Sequence, residues 1–172
     1  MEVNVAQLMK SSIGAERHYD IDEPIDIDGK DVHVKGAIKL VRTDRGILAT
    51  GSFDAVLEIE CSRCLQPFDC PVKIQFEEEY FPTLDVLTGL PLEEPDEQPG
   101  YFTIDDHHII DLDEAIKQYA VLAIPMKPLC QAECPGLCPT CGHNLKMGPC
   151  GCSIKESDPC RVELSELLKE EK

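Results

Sequence analysis

Asp31 to Glu60 reads DVHVKGAIKLVRTDRGILATGSFDAVLEIE. In its first half Val32, Val34, Ile38 and Leu40 occupy even positions, with His33, Lys35 and Lys39 between them. Thr43-Asp-Arg-Gly46 then breaks the pattern as a hairpin turn. In the return run from Ile47 to Glu60, Phe53, Ala55, Leu57 and Ile59 alternate with Asp54, Glu58 and Glu60. A period of two with one polar set means a strand pair with one solvated face. The expected fold is α+β: an antiparallel sheet or partial barrel, one packed helix, and a Cys-rich zinc module at the C-terminal end. Gly51 is read as a bulge in the return strand.

Downstream, Cys61-Ser-Arg-Cys64 closes that run, and a third strand begins after Pro71 with Val72, Ile74 and Phe76 on one face. Pro82–Gly100 gathers Pro91, Glu93, Glu94, Pro95, Asp96, Glu97 and Pro99, and is read as a mobile acidic loop. Tyr101–Ile110 reads as one further strand, holding His107 and His108. Asp111 with Glu114 reads as a capping box opening a helix over Leu112–Ile124. That helix places Ala115, Ile116, Tyr119, Ala120, Leu122 and Ala123 largely on one side, and Pro125 ends it. Upstream, Val3–Lys10 reads as a short strand running into a helical turn. Tyr19–Ile27 alternates as a strand that Pro24 demotes to an edge, and Asp28-Gly29 marks a turn. Asp158-Pro159 opens a last short helix striped with Leu164, Leu167 and Leu168. The chain divides into a β-rich core, 1–129, with its acidic loop at 82–100, and a zinc-binding module with terminal helix, 130–172.

The chemistry lies in Cys130–Cys152, CQAECPGLCPTCGHNLKMGPCGC. Cys138-Pro-Thr-Cys141-Gly142 has the form of a zinc knuckle: two thiolates grip one ion, and a Gly after the second Cys tolerates the left-handed turn. A structural Zn²⁺ takes four soft ligands in a tetrahedron, and eight thiols make two such sets. Because short loops close at lower entropic cost, Cys138, Cys141, Cys150 and Cys152 are assigned to one ion. Cys130 and Cys134 then meet Cys61 and Cys64 across the domain. Cys130, Cys134, Cys138 and Cys141 sharing one ion is the alternative. Cys70 and Cys160 are left as plain thiols, and His143 is given a turn role. All-Cys sites are closed, and no phosphate loop, nucleophile elbow or HExxH motif is present. The protein is therefore expected not to be an enzyme and to have no small-molecule substrate.

The chain carries 33 acidic and 16 basic residues, a net charge of −17. Two Zn(Cys)₄ centres, each a formal −2 relative to four thiols, bring it to −21 (−17 − 2 − 2). This balance suits a basic protein partner better than nucleic acid. The exception is Lys30–Arg45, where Lys30, Lys35, Lys39, Arg42 and Arg45 outweigh Asp31 and Asp44. No stretch reads as a signal peptide or a membrane span. A cytoplasmic protein with reduced, metal-binding cysteines is expected.

Five stretches in order carry a resemblance. They are Val41-Arg-Thr-Asp-Arg-Gly-Ile, Glu60-Cys-Ser-Arg-Cys-Leu, Glu78-Glu-Tyr-Phe-Pro, Ile124-Pro-Met-Lys-Pro-Leu-Cys, and Cys134-Pro-Gly-Leu-Cys-Pro-Thr-Cys-Gly-His-Asn-Leu. Together they resemble the YceD family, bacterial and plastid proteins linked to accumulation of large-subunit ribosomal RNA. The resemblance implies a cytosolic role in ribosome biogenesis without established catalysis, and maps the family's cysteines onto the eight named above. One departure is Asp158-Pro-Cys160-Arg161, where members commonly have Asp-Pro-Arg. The role can be delivered by holding a basic ribosomal protein or assembly factor, or by touching ribosomal RNA directly. A metal- or redox-responsive thiol protein is the remaining class.

Overall fold

The computed structural model describes residues 1–92 and 100–152. β1 (Glu2–Asn4) leads into a single helical turn, α1 (Ala6–Met9), as the sequence predicts. Four long strands follow: β2 (Glu16–Ile27), β3 (Lys30–Arg42), β4 (Ile47–Glu60) and β5 (Pro67–Pro82). Two short strands, β6 (Phe102–Ile104) and β7 (Ile109–Asp111), precede α2 (Asp113–Ala123). A 3₁₀ turn, Leu145–Met147, lies in the cysteine-rich stretch. The strands form one half-barrel sheet in the order β1-β7-β6-β5-β4-β3-β2.

The meander β2–β5 follows directly from the alternation. Asp28 and Gly29 both take positive φ, 53° and 78°, and join β2 to β3 with Ile27 opposite Lys30. This is the two-residue turn whose twist matches the flanking strands. β2 pairs with β3 alone, so Pro24 stands on an edge, where its missing N–H costs no ladder bond. The inward set is buried throughout: Val32, Val34, Ile38 and Leu40 on β3, Phe53, Ala55 and Leu57 on β4, and Val72, Ile74 and Phe76 on β5. α2 covers this face with Ala115, Ile116 and Ala120, and the Tyr119 ring lies 5.5 Å from that of Phe76.

Several expectations are corrected. The sheet is mixed, because β6 runs parallel to β5 (Tyr80 opposite Phe102) before β7 turns back on it. Tyr101–Ile110 is thus two strands. His107 and His108 sit in the turn between them, where Asp105 Oδ1 accepts from the N–H groups of His107 and Ile109. Gly51 is no bulge: it pairs in regular register with Ile38 and Phe76. A Cβ there would come within 2.6 Å of the Phe53 ring and 2.7 Å of Phe76, so its role is to let two aromatic rings lie across the sheet. β5 begins at Pro67, four residues before Pro71, since pairing to β4 continues to the end of that strand.

The segment read as a mobile acidic loop carries local structure over its described part. Leu84 bridges Pro91, and Asp85 Oδ1 accepts from the N–H groups of Leu87 and Thr88 and from the Thr88 hydroxyl. Residues 93–99 lie outside the described residues. The capping box is not formed: the helix N-cap is Leu112, with no side-chain cap hydrogen bond. Asp111 Oδ1 accepts from Asp113 N at 2.9 Å, but Glu114 turns to Gln118 instead. Leu122 is 75% exposed because it falls at the margin of the apolar stripe, near the end of α2. The expected terminal helix and Cys160 lie outside the described residues.

Gly36 gives a test of how closely the strands are packed. A Cβ on it would stand 2.1 Å from the Ser52 carbonyl oxygen and 2.7 Å from the Phe53 Cα, both backbone atoms. Gly29 has open space but a left-handed φ. Gly36→Ala should cost about 3 kcal/mol as an overpacking lesion against rigid backbone, and Gly29→Ala about 1–2 kcal/mol. Urea unfolding midpoints of the two variants check the order, and equal costs would contradict the packing described.

Candidate metal centres

The connection between β4 and β5 is a tight loop that starts at Cys61. Leu65 N–H donates back to the Cys61 carbonyl at 2.9 Å, with Leu65 at φ 56°. The second knuckle repeats this: Gly142 N–H donates to the Cys138 carbonyl at 2.9 Å, with Gly142 at φ 72°. The left-handed position expected after the second Cys is therefore present in both, filled by Gly in one and by Leu in the other. A Cβ costs about 1–2 kcal/mol there, so the sequence signal was clear only at Gly142.

After Pro125 the chain runs back beside the first knuckle. Ser62 N–H donates to the Pro128 carbonyl at 2.8 Å, and the Arg63 guanidinium to the Cys134 carbonyl at 3.0 Å. Gly136 lies close against the Arg63 backbone. These contacts carry Cys130 and Cys134 onto the β4–β5 loop. Cys61 and Cys134 sulfurs stand 3.8 Å apart, as do those of Cys64 and Cys130. The eight thiols form two groups, Cys61/Cys64/Cys130/Cys134 and Cys138/Cys141/Cys150/Cys152, with the sulfurs of each within 4.8 Å of one another. The alternative grouping of Cys130, Cys134, Cys138 and Cys141 is not the one formed.

A disulfide needs sulfurs about 2.05 Å apart. Four thiolates around an ion at Zn–S of about 2.3 Å stand about 3.8 Å apart along each tetrahedral edge. The spacing thus fits a metal and not a disulfide. The first group is enclosed: Cys61, Cys64 and Cys134 are buried and packed with Phe68 and Leu129, and Cys130 is half-buried. In the second group only Cys138 is buried, and Cys141 is exposed.

The electrostatics of the two groups are alike. Backbone N–H groups, that of Cys130 foremost and then those of Cys64 and Arg63, bring the Cys61 thiol down to about 6. The N–H groups of Cys141 and Thr140 bring Cys138 down to about 6. In each group a neighbour moves the other way. Burial pushes Cys134 up to about 11. Sharing a proton with Cys141 pushes Cys152 up to about 12. Cys150 is also raised: the Cys152 N–H favours its thiolate, but the proton shared with Cys138 and burial outweigh it. In each group one thiol, Cys61 or Cys138, is drawn toward its thiolate, while Cys134 in the first and Cys150 and Cys152 in the second resist ionisation without a cation among them, as in an S₄ metal site.

Lys146 was missed by sequence reasoning. Its ammonium donates to Cys130 Sγ at 3.3 Å, and that hydrogen bond holds the lysine pKa up. It reaches the first group from the loop between Cys141 and Cys150. That loop is anchored by Leu145 N–H on the Gly136 carbonyl and by the Leu137–Asn144 bridge. A Lys in a Cys-rich hairpin has no spacing signature, so only the folded loop places it. His143 lies outside both groups, and its carbonyl accepts from Cys138 N–H at 2.8 Å, the turn role expected. Cys70 is buried in the main core, away from both groups.

Residues 49–168 match the family described as large ribosomal RNA subunit accumulation protein YceD. The chain belongs to the YceD family. An uncharacterized protein of Mycobacterium tuberculosis is 34% identical over 131 residues, 76% of this chain and 60% of that protein. One of Mycobacterium leprae is 27% identical over 135 residues, 76% of this chain and 57% of that protein. The YCED homolog 1 of Arabidopsis thaliana, described as chloroplastic, is 25% identical over 186 residues, 92% of this chain and 54% of that protein. This YceD chain therefore spans about 60% or less of the length of these relatives. No solved structure matches it. Among the described residues, no helix is long and apolar enough to cross a membrane.

The two groups make separable predictions. Protein purified in reductant without added metal should carry two metal ions per chain by elemental analysis. Cys61→Ser/Cys64→Ser should lower this to one, as should Cys138→Ser/Cys141→Ser. The first pair should depress the melting temperature more, because its group ties the β4–β5 loop to the chain beyond α2. Two ions retained after the Cys61/Cys64 change would remove the cross-domain site.

Proposed function

We propose that this YceD protein is a non-enzymatic, zinc-stabilised binding module of the cytoplasm. It supports large-subunit ribosomal RNA accumulation by holding a basic ribosomal protein or assembly factor. Zinc is favoured at both groups because four thiolates form a closed, soft, tetrahedral donor set. All four positions are taken by sulfur, which leaves none for a reacting water. The metals act as staples.

The observation that carries the partner reading is how the sheet's surface charge is spent. The lysines of β3, the most basic stretch of the sequence, are already engaged. Lys30 pairs with Glu58 at 2.6 Å, Lys35 with Asp22 at 3.0 Å, and Lys39 with Glu16 at 2.7 Å. The carboxylates register these pairs: Glu58 is lowered by Lys30, Asp22 by Lys35 and then His33, and Glu16 by Lys39. This removes most of the positive strip an extended RNA backbone would need. The net charge of −17 stays available to a cationic partner, which it would steer and orient.

Affinity capture of the tagged protein with ribosomal fractionation tests this. The expected result is co-purification of a basic ribosomal protein or assembly factor that persists after RNase digestion and weakens with rising salt. Loss of every specific association on RNase treatment would overturn the protein-partner reading.

A further inference from the structure

Arg42 and Arg45, the remaining cations of the Lys30–Arg45 strip, make no ion pair with a described residue, in a chain with twice as many acids as bases. Both line a cleft of about 340 Å³ between the β3–β4 turn, the end of β5 and the Asp85 turn, whose apolar lining includes Met9, Phe81 and Leu92. That volume lies at the small end of the range for ligand sites, about 300–1,000 Å³. Two stretches that the metal centres leave without a role, Val41–Ile47 and Glu78–Pro82, meet there.

The cleft is held in shape before any ligand arrives. Thr43 Oγ1 accepts from Gly46 N–H at 2.8 Å and donates to Glu79 Oε1 at 2.7 Å, which fixes the turn to β5. Arg42 Nη1 donates to the Gly46 carbonyl at 2.7 Å, so its guanidinium is positioned and its other N–H groups remain to give. The Arg45 guanidinium lies over the Phe81 ring, 5.5 Å from its centroid, and Tyr101 meets Phe81 edge-on at 6.2 Å. Asp44 and Asp85 also line the cleft. Asp85 Oδ1 is taken by the Leu87–Thr88 turn, and these bonds, the Thr88 N–H first, hold its pKa below the usual value.

These groups select a ligand class. A bare anion would be repelled by the two carboxylates. An apolar ligand would leave the two arginines unused. A nucleotide satisfies both: phosphate for a guanidinium, a planar face for the Arg45–Phe81 layer, and base N–H groups for a carboxylate. A long or double-stranded nucleic acid would bring many phosphates against the acidic surface, so the contact must be short.

We propose that this cleft binds one nucleotide of single-stranded RNA, its base stacked on the Arg45–Phe81 layer and its phosphate at Arg42. The site is independent of the basic protein partner, and its test needs none.

The metal-loaded full chain is titrated against fluorescein-labelled RNA hexamers of each base, read by anisotropy over a salt series, with inorganic phosphate as competitor. Binding of at least one homopolymer is expected. So is a log–log salt slope shallower than about −1.5, since single strands lose roughly 0.7 per phosphate contacted. Arg45→Gln and Phe81→Leu should each weaken binding at least tenfold with unchanged metal content and far-UV spectrum. Arg45→Lys should weaken it nearly as much, because it keeps the charge and loses the plane. Lys35→Gln, removing a paired lysine, should leave binding within twofold. The proposal is overturned if no hexamer binds, if inorganic phosphate displaces the RNA, if Arg45→Lys binds normally, or if Lys35→Gln is as damaging as Arg45→Gln.

Discussion

The sulfur contact between Cys61 and Cys134, 73 residues apart in sequence, is the constraint on which the C-terminal half depends. Thiols this close either share protons or surrender them to a cation, and the 3.8 Å spacing matches the tetrahedral edge about a metal. The loop after β4 would otherwise be a short exposed turn. The chain after Pro125 would otherwise have little apolar surface of its own to bury. Joining them gives each a fixed partner. Zinc bound by four thiolates contributes on the order of 10–16 kcal/mol in small peptides, comparable to the whole stability of a domain. An ion held by these four thiolates would therefore order a chain segment with few buried side chains.

The two centres are mechanically continuous. Cys134 belongs to one and Cys138 to the other, with Gly136 between them pressed against the first knuckle. The hairpin closed by the second centre sends Lys146 back to Cys130. With a divalent ion bound, four thiolates would give the first centre a formal charge of −2, and the Lys146 ammonium and several backbone N–H groups stand beside it. This local compensation matters in a protein already so acidic, because neighbouring carboxylates would otherwise raise the cost of every further negative charge.

The same economy of charge explains the sheet. Its outward face is neither basic nor simply acidic, since each lysine of β3 sits beside a carboxylate on a neighbouring strand. Exposed pairs of this kind contribute little stability. Their effect is to cancel a potential that the sequence alone presents as a strip of positive charge. What survives is confined to two arginines at one turn, Arg42 held by the Gly46 carbonyl and Arg45 by the Phe81 ring.

Much of this was written in the chain. Strict alternation from Val32 to Ile59 determined two strands and their buried faces, because side chains in a strand point to opposite sides with no other choice. Asp28-Gly29 and Thr43–Gly46 determined the turns, and Pro24 the edge. Short loop closure favoured the grouping of thiols that is found. Tertiary structure decided the rest. The parallel β5–β6 pairing, and the turn that splits Tyr101–Ile110, depend on what lies beside each strand, which no local pattern records. Gly51 read as a bulge because the sequence does not show two phenyl rings crossing above it. Lys146 carried no signal at all. Its position is set by a loop folded between two metal-type centres, and contact of that kind exists only once distant segments have been brought together.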